Sequence, residues 1–352
     1  MCRLGLVLLA LCCANVAWAQ TEVEAPVPAP QISGQVRLQW NGQQAEALPQ
    51  GRAALPASGA VLETELRASG HGVSGIVTLQ QQRQQGQATD SRAWVNELYA
   101  SHDAGAWQLS AGKKIVAWDV GYGYRPNDMV QQEERRTLVS STLEGRPLLI
   151  VEHFSADTAW SWVWVNPVKS AQELGAQEPA LATRLYRRDG TVDWHGFARL
   201  GAHTGASVGA AAAWVASEAL ELHSSWRWSE RVDSNNSNPW QPRTEGDVTQ
   251  WLLGGTWTAA NQLSLLLETW SDAQSQRNLY GRLSWQHEAW QPALDLLYQP
   301  ADQGRVVTAS LIWQGDRVQL QGGLRVYDGP ANAQVLMQPV RGQAYVVGTW
   351  AF

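Results

Sequence analysis

A two-residue hydrophobic alternation recurs along most of this chain, and its apolar face carries tryptophan. Trp160, Trp162 and Trp164 alternate with Ser161, Val163 and Val165, so three indoles share one face of one strand. Val192, Trp194, Gly196, Ala198 and Leu200 face away from Asp193, His195 and Arg199. Leu220, Leu222, Trp226 and Trp228 oppose Glu221, His223 and Arg227, and Leu279, Leu283 and Trp285 oppose Tyr280 and Arg282. The same pattern returns in 249–257, 307–313 and 318–327. Rows of exposed indoles in water are an aggregation hazard, so the apolar faces need a cover of protein or lipid. A soluble sandwich also alternates, but it turns the polar face outward.

Composition narrows the choice of cover. Beyond the first twenty residues no stretch approaches 18 uninterrupted apolar residues, which excludes a transmembrane helix. A membrane chain without such a helix must close its sheet, because every backbone donor and acceptor in lipid needs an internal partner. The hydrophobic content of 44% suits a soluble domain and equally a barrel with a wet interior. Twenty tryptophans against three phenylalanines favour the barrel, since indole prefers a membrane interface that buries the ring and wets the N–H.

Both ends of the chain agree. Met1–Arg3 is a short basic start, Leu4–Cys13 an apolar run, and Ala17-Trp18-Ala19 a small-x-small cleavage site before Gln20, the pattern of a secretory signal peptide. Cys2, Cys12 and Cys13 all lie in that segment, so the mature chain is expected to have no disulfide and no cysteine chemistry. At the other end, Ala344, Val346, Trp350 and Phe352 alternate with Gln343, Tyr345 and Thr349 up to the last residue, which predicts a paired strand instead of a frayed tail. A terminal strand closing on an aromatic resembles that of Gram-negative outer-membrane β-barrels. That resemblance implies that Trp350 and Phe352 serve as the signal read by the barrel assembly machinery. The run Gly112, Lys113, Trp118, Gly121, Gly123, Pro126, Asp128 is similar to an element after an early strand in some porin-like outer-membrane families.

Connections add topology. Tight turns fall at 70–72, 103–105, 156–158, 188–190, 217–219, 259–261, 288–291 and 314–316, and longer links at 43–57, 81–91, 115–143, 167–178, 230–247 and 328–341. Short turns at one end and long loops at the other predict an all-β, transmembrane, antiparallel up-and-down β-barrel of eighteen strands, with sixteen as the fallback and both termini periplasmic. The expected organisation is a signal peptide over 1–19, a flexible periplasmic leader over 20–30 and the barrel over 31–352.

Parity places Arg37, Glu63, Glu65, Arg67, Glu97, Arg184, Arg199, Arg227, Arg282, Arg317 and Arg325 on the pore lining. Charges of both signs suit a crossed-field solute channel and equally any wet wall that must pair its charges. Without Arg3 the chain holds 25 basic and 32 acidic residues, a mild acidity that does not identify a solute. The densest functional stretch is Gly112–Arg136, with Lys113, Lys114, Tyr124, Arg125, Asp128, Glu133, Glu134, Arg135 and Arg136 as a candidate constriction loop. Small residues at the inward positions Ser207, Gly209, Ala211 and Ala213 would leave room for it. The alternative is a loop that caps the barrel from outside.

Enzymatic readings are weaker. His153 with Ser155, and His223 with Ser225, share a face, but neither pair has a third orienting group at a recognisable spacing. No histidine–carboxylate cluster suggests a metal, no glycine-rich loop opens a helix for phosphate, and no cofactor is expected. The expected function is a porin-like channel for passive diffusion of a small hydrophilic solute, with outer-membrane lipid as its surroundings and no nucleic-acid partner. A homotrimer and a single barrel would show the same alternation. A non-conducting structural or assembly barrel is the alternative, and an outer-membrane hydrolase a remote one.

Overall fold

The computed structural model describes residues 30–46, 57–131, 137–139, 143–169, 177–231, 246–274 and 276–352. The expected signal peptide and all of the leader but Pro30 lie outside them, as do Glu133, Glu134, Arg135 and Arg136. The strands are β1 (Gln31–Ala45), β2 (Ser58–Gly70), β3 (Val73–Gln84), β4 (Asp90–Ala104), β5 (Trp107–Lys114), β6 (Arg146–Phe154), β7 (Thr158–Val165), β8 (Ala180–Asp189) and β9 (Val192–Gly201). They continue as β10 (Gly205–Ser217), β11 (Leu220–Ser229), β12 (Val248–Thr258), β13 (Leu263–Ser271), β14 (Arg277–Trp285), β15 (Trp290–Gln299), β16 (Gly304–Gln314), β17 (Val318–Asp328) and β18 (Val340–Ala351).

Each strand pairs antiparallel with its neighbours in sequence, and β1 pairs with β18, so the 18-stranded sheet has no edge. The seam is in register over Val36↔Trp350 and Trp40↔Val346. Phe352 adds a reciprocal backbone pair with Gly34, at 3.0 Å in each direction. Alternation decides which side chains turn out. Leu38, Trp40, Leu62, Leu66, Leu181, Leu200, Trp226, Leu253, Leu324, Val346 and Trp350 are all exposed on the outer face, whereas Tyr345 and Val347 are buried on the inner one.

The short turns gather at one end of the barrel, between β2 and β3, β4 and β5, and so on to β16 and β17. Trp107, Trp160, Trp194, Trp214, Trp257, Trp285, Trp290 and Trp350 all lie within a few residues of that end and are exposed on the outer face, forming an aromatic belt. Towards the other end Trp226 and Trp251 face each other across β11 and β12. The expected sorting of links by length holds only in part. At the end away from the short turns, 115–145 and 230–247 are long, but 85–89, 202–204, 272–276 and 300–303 are short. The predicted link 81–91 shrinks because polar alternation through Gln80, Gln82 and Gln84 continues β3.

In β4 a bulge opposite Ile76 and Val77 interrupts parity. Asn96 occupies the extra position, fully buried, where its amide accepts from Thr78 Oγ1 at 2.6 Å and donates to the Leu143 carbonyl at 2.8 Å. The bulge thus marks where β4 meets the return path of the long loop.

Candidate functional site

The segment between β5 and β6 does not cap the barrel; its described part lies along the lumenal wall of β6–β13. Val116, Trp118, Met129 and Val130 form one apolar core with Leu148, Ile150, Val163, Val165, Ala180, Ala182, Phe197 and Ala211, which point inward from β6–β10. Those wall residues break the rule of a wet interior, and the loop is what covers them. That run of apolar inward positions was a signal in the sequence for where the loop would lie.

Further along, polar groups take over. The Asp119 carboxylate accepts the Asn127 N–H at 2.6 Å, the Val120 N–H at 2.9 Å and the Ser225 hydroxyl at 2.8 Å. Asp128 accepts the Trp118 and Asp119 N–H groups at 2.9 and 3.1 Å. The two aspartates therefore tie the loop's outgoing and returning limbs together. Burial pushes both carboxyls up, outweighing these donors and Arg125, and Asp128 reaches about 6.

The tip is held by Glu268 on β13, whose carboxylate accepts the Tyr122 N–H at 2.7 Å and the Gly123 N–H at 2.6 Å. His223 Nε2 lies 2.9 Å from the same carboxylate, and both side chains are buried. Tyr124 stacks on Trp270 with ring centroids 5.7 Å apart, and Gln250 donates to its hydroxyl. Gly121 lets the chain turn, because a Cβ there would overlap the Tyr124 carbonyl. On the wall, a Cβ at Gly209 would overlap the side-chain Oδ1 of Asn127, whose Nδ2 donates to the Trp226 carbonyl at 3.0 Å and to Ser225 Oγ at 2.8 Å. Gly209 and Ala211 thus touch the loop, and Ser207 receives Arg227 at 3.2 Å.

The expected pore-lining residues divide into several groups. Arg227 donates to the Pro126 carbonyl at 2.9 Å, so it anchors the loop. Glu97 accepts the Ile115 N–H at 2.7 Å and fixes the loop's root. Arg199 pairs with Glu178, which also accepts from the N–H groups of His203 and Thr204. Burial raises the Glu178 carboxyl, but the Arg199 guanidinium and these donors more than offset it and hold it below the ordinary value. Arg184 makes no hydrogen bond or ion pair among the described residues; its guanidinium lies 5.5 Å from the centre of the Tyr186 ring.

On the wall away from the loop, Arg37 pairs with Glu63 at 2.5 Å, Arg67 with Glu65 at 2.6 Å and Arg282 with Asp295 at 3.1 Å, while Arg325 donates to Thr308 at 2.9 Å. Arg317 falls in the turn before β17, not on a strand. Lys113 and Lys114 are the last residues of β5, because the alternation of Leu109 and Ala111 runs on through them. Lys113 pairs with Glu144 at 2.5 Å, and Lys114 sits 4.9 Å from the Tyr99 ring centre. Arg125 donates to the Gly121 carbonyl at 2.6 Å. The two Ser–His pairs are committed elsewhere, with His223 on Glu268, Ser225 on Asp119 and His153 packed on Trp107 at 4.6 Å.

No protein-family model and no curated protein matches this sequence. Solved structures resemble the chain in fold: it shares the closed antiparallel barrel seen in porins. Among them, Pseudomonas aeruginosa OccK5 (OpdH) is similar with a TM-score of 0.62 at 10% identity, over 92% of this chain and 98% of that one. Acinetobacter baumannii OccAB2 gives 0.61 at 9% identity over the same shares, and a mutant of the Rh. blastica porin 0.50 at 12% identity over 92% and 100%.

Proposed function

We propose that this chain is an outer-membrane channel through which small hydrophilic solutes diffuse passively, narrowed by the loop between β5 and β6. The observation that carries this reading is the division of the lumenal wall. The β6–β13 side is covered by loop, whereas the β1–β3 and β14–β18 sides present paired charges such as Arg37–Glu63 and Arg282–Asp295 to the lumen. A wall of compensated pairs lowers the cost of a polar path without fixing one sign of solute. Transport on this reading needs no cofactor. The exposed faces of Tyr122, on the loop, and of the opposite wall set the aperture between them.

On the same reading the short turns and both termini are periplasmic, residues 1–19 are removed on export, and Trp350 and Phe352 are read by the assembly machinery. The committed partners of His223 and Ser225 favour transport over hydrolysis. Planar-bilayer recording of the purified chain tests the proposal: discrete openings are expected, and Arg37→Glu should move the reversal potential in a salt gradient towards cation preference. A folded barrel that stays closed, or an unchanged reversal potential together with unchanged conductance, would favour the structural-barrel alternative.

A further inference from the structure

Two clefts lie one above the other on the face formed by β6–β10. The first, of about 580 Å³, is at the short-turn rim, between the β6–β7 turn and the β8–β9 turn, and is lined by Asp157, Arg187, Arg188 and Asp189 among others. The second, of about 630 Å³, lies higher up and is lined mainly by apolar side chains, among them Trp162, Trp164, Leu181, Ala198, Leu200 and Val208. Leu181, Thr183, Leu185 and Arg187 share the outward face of β8, so one strand joins the two clefts.

The chemistry changes along that strand as a lipid's does. Beside the upper groove the Trp160 indole N–H donates to Thr183 Oγ1 at 2.8 Å, and the Thr183 hydroxyl donates to the Ser161 carbonyl at 2.9 Å. Stacked indoles, Trp160 on Trp162 at 4.5 Å and Trp162 on Trp107 at 6.1 Å, wall one side, and the small side chains of Ala198 and Ala206 leave the hollow. At the rim, Arg188 is committed to Asp193 at 2.9 Å. Arg187, Asp157 and Asp189 are exposed, and their side chains have no hydrogen-bond or ion-pair partner among the described residues. One cation and two carboxylates thus remain at the level of the aromatic belt, with Arg187 directly opposite Trp194. From Leu181 to Arg187 the strand rises about 20 Å. At a tilt of about 40° that is roughly 15 Å along the membrane normal, half of the ~30 Å hydrocarbon core and so one leaflet.

We propose that this face binds a glycerophospholipid with a primary-amine headgroup, its phosphate on Arg187, its ammonium on Asp157 and Asp189, and one acyl chain in the groove beside Trp162 and Trp164. A second barrel docked here would have to desolvate three charges against an indole belt, which the lipid's own opposite charges avoid. The site rests on the barrel lying in a membrane, but not on its conducting.

Native mass spectrometry of the folded full chain, titrated in detergent with phosphatidylethanolamine, phosphatidylcholine or phosphatidylglycerol of identical acyl chains, tests it. One retained lipid is expected, with phosphatidylethanolamine favoured about fivefold over the other two. Arg187→Gln should weaken all three lipids, since each carries the phosphate that Arg187 would bind. Asp157→Asn with Asp189→Asn should bring phosphatidylethanolamine down to the phosphatidylcholine level, and Ala198→Trp should reduce all three by filling the groove. Heat-modified gel mobility verifies that each variant is folded. Equal retention of the three lipids, a preference for phosphatidylglycerol, or dimers and trimers lost on Ala198→Trp with no change in lipid would each overturn the assignment. A chain that keeps its lipid but never conducts would remove the channel reading and leave the lipid site standing.

Discussion

Glu268 shows how one carboxylate can position a whole loop. It accepts two backbone N–H groups from the loop tip and is itself backed by His223. Glu268→Ala leaves those donors buried and unpaired, a loss of about 3 kcal/mol or more in docking. Single-channel records of the variant should show frequent excursions to a higher conductance; records as quiet as the parent's would mean that the apolar core alone holds the loop. Asp128 adds a dependence on pH. Its carboxyl is raised from 3.8 to about 6 by burial, so the docked loop binds a proton that the undocked loop gives up. Docking is therefore strongest in acid and weakens as pH rises from about 4 to about 6, after which it levels off. Asp119, raised for the same reason, acts in the same direction. Protease protection of the loop should be greater at pH 4.5 than at pH 7.5, and Asp128→Asn should reduce that difference, leaving the part due to Asp119.

As an element, the loop was only partly legible in the sequence. Gly121, Gly123 and Pro126 gave its tight path away, and the small residues Gly209 and Ala211 marked the face that it meets. The apolar inward residues Leu148, Ile150, Val163 and Val165 carried the stronger signal, since an uncovered aqueous wall does not hold a row of them. Partners across the lumen were not legible, because Glu268 lies 145 residues from Gly123 and only closure of the barrel brings them together. Parity failed at Asn96, where a bulge shifts the alternation, and at Arg317, which lies in the turn just before β17 begins. Gly209→Val tests the fit of loop to wall. The added branches would collide with Asn127, so the loop should become sensitive to protease while the barrel keeps its folded gel mobility.

For the whole molecule, eighteen strands were legible because two faces in two different solvents impose the same alternation on every one of them. The seam depends on the chain's last residue: Phe352 exchanges two backbone hydrogen bonds with Gly34, and its ring lies against that glycine. Deleting Phe352 should lower the yield of inserted barrel, read as the heat-modifiable fraction, more than it alters the conductance of barrels that do form. Closure by the first and last strands also has a kinetic meaning. The pairing of Val36 with Trp350 joins residues more than three hundred positions apart, so the contact that completes the cylinder carries the largest loop-closure entropy in the chain. Every hairpin can zip early, but the ring cannot shut until the final stave has been made, and until then both outer strands expose their unpaired backbone. The slowest folding event of such a chain should be the one that joins its two ends.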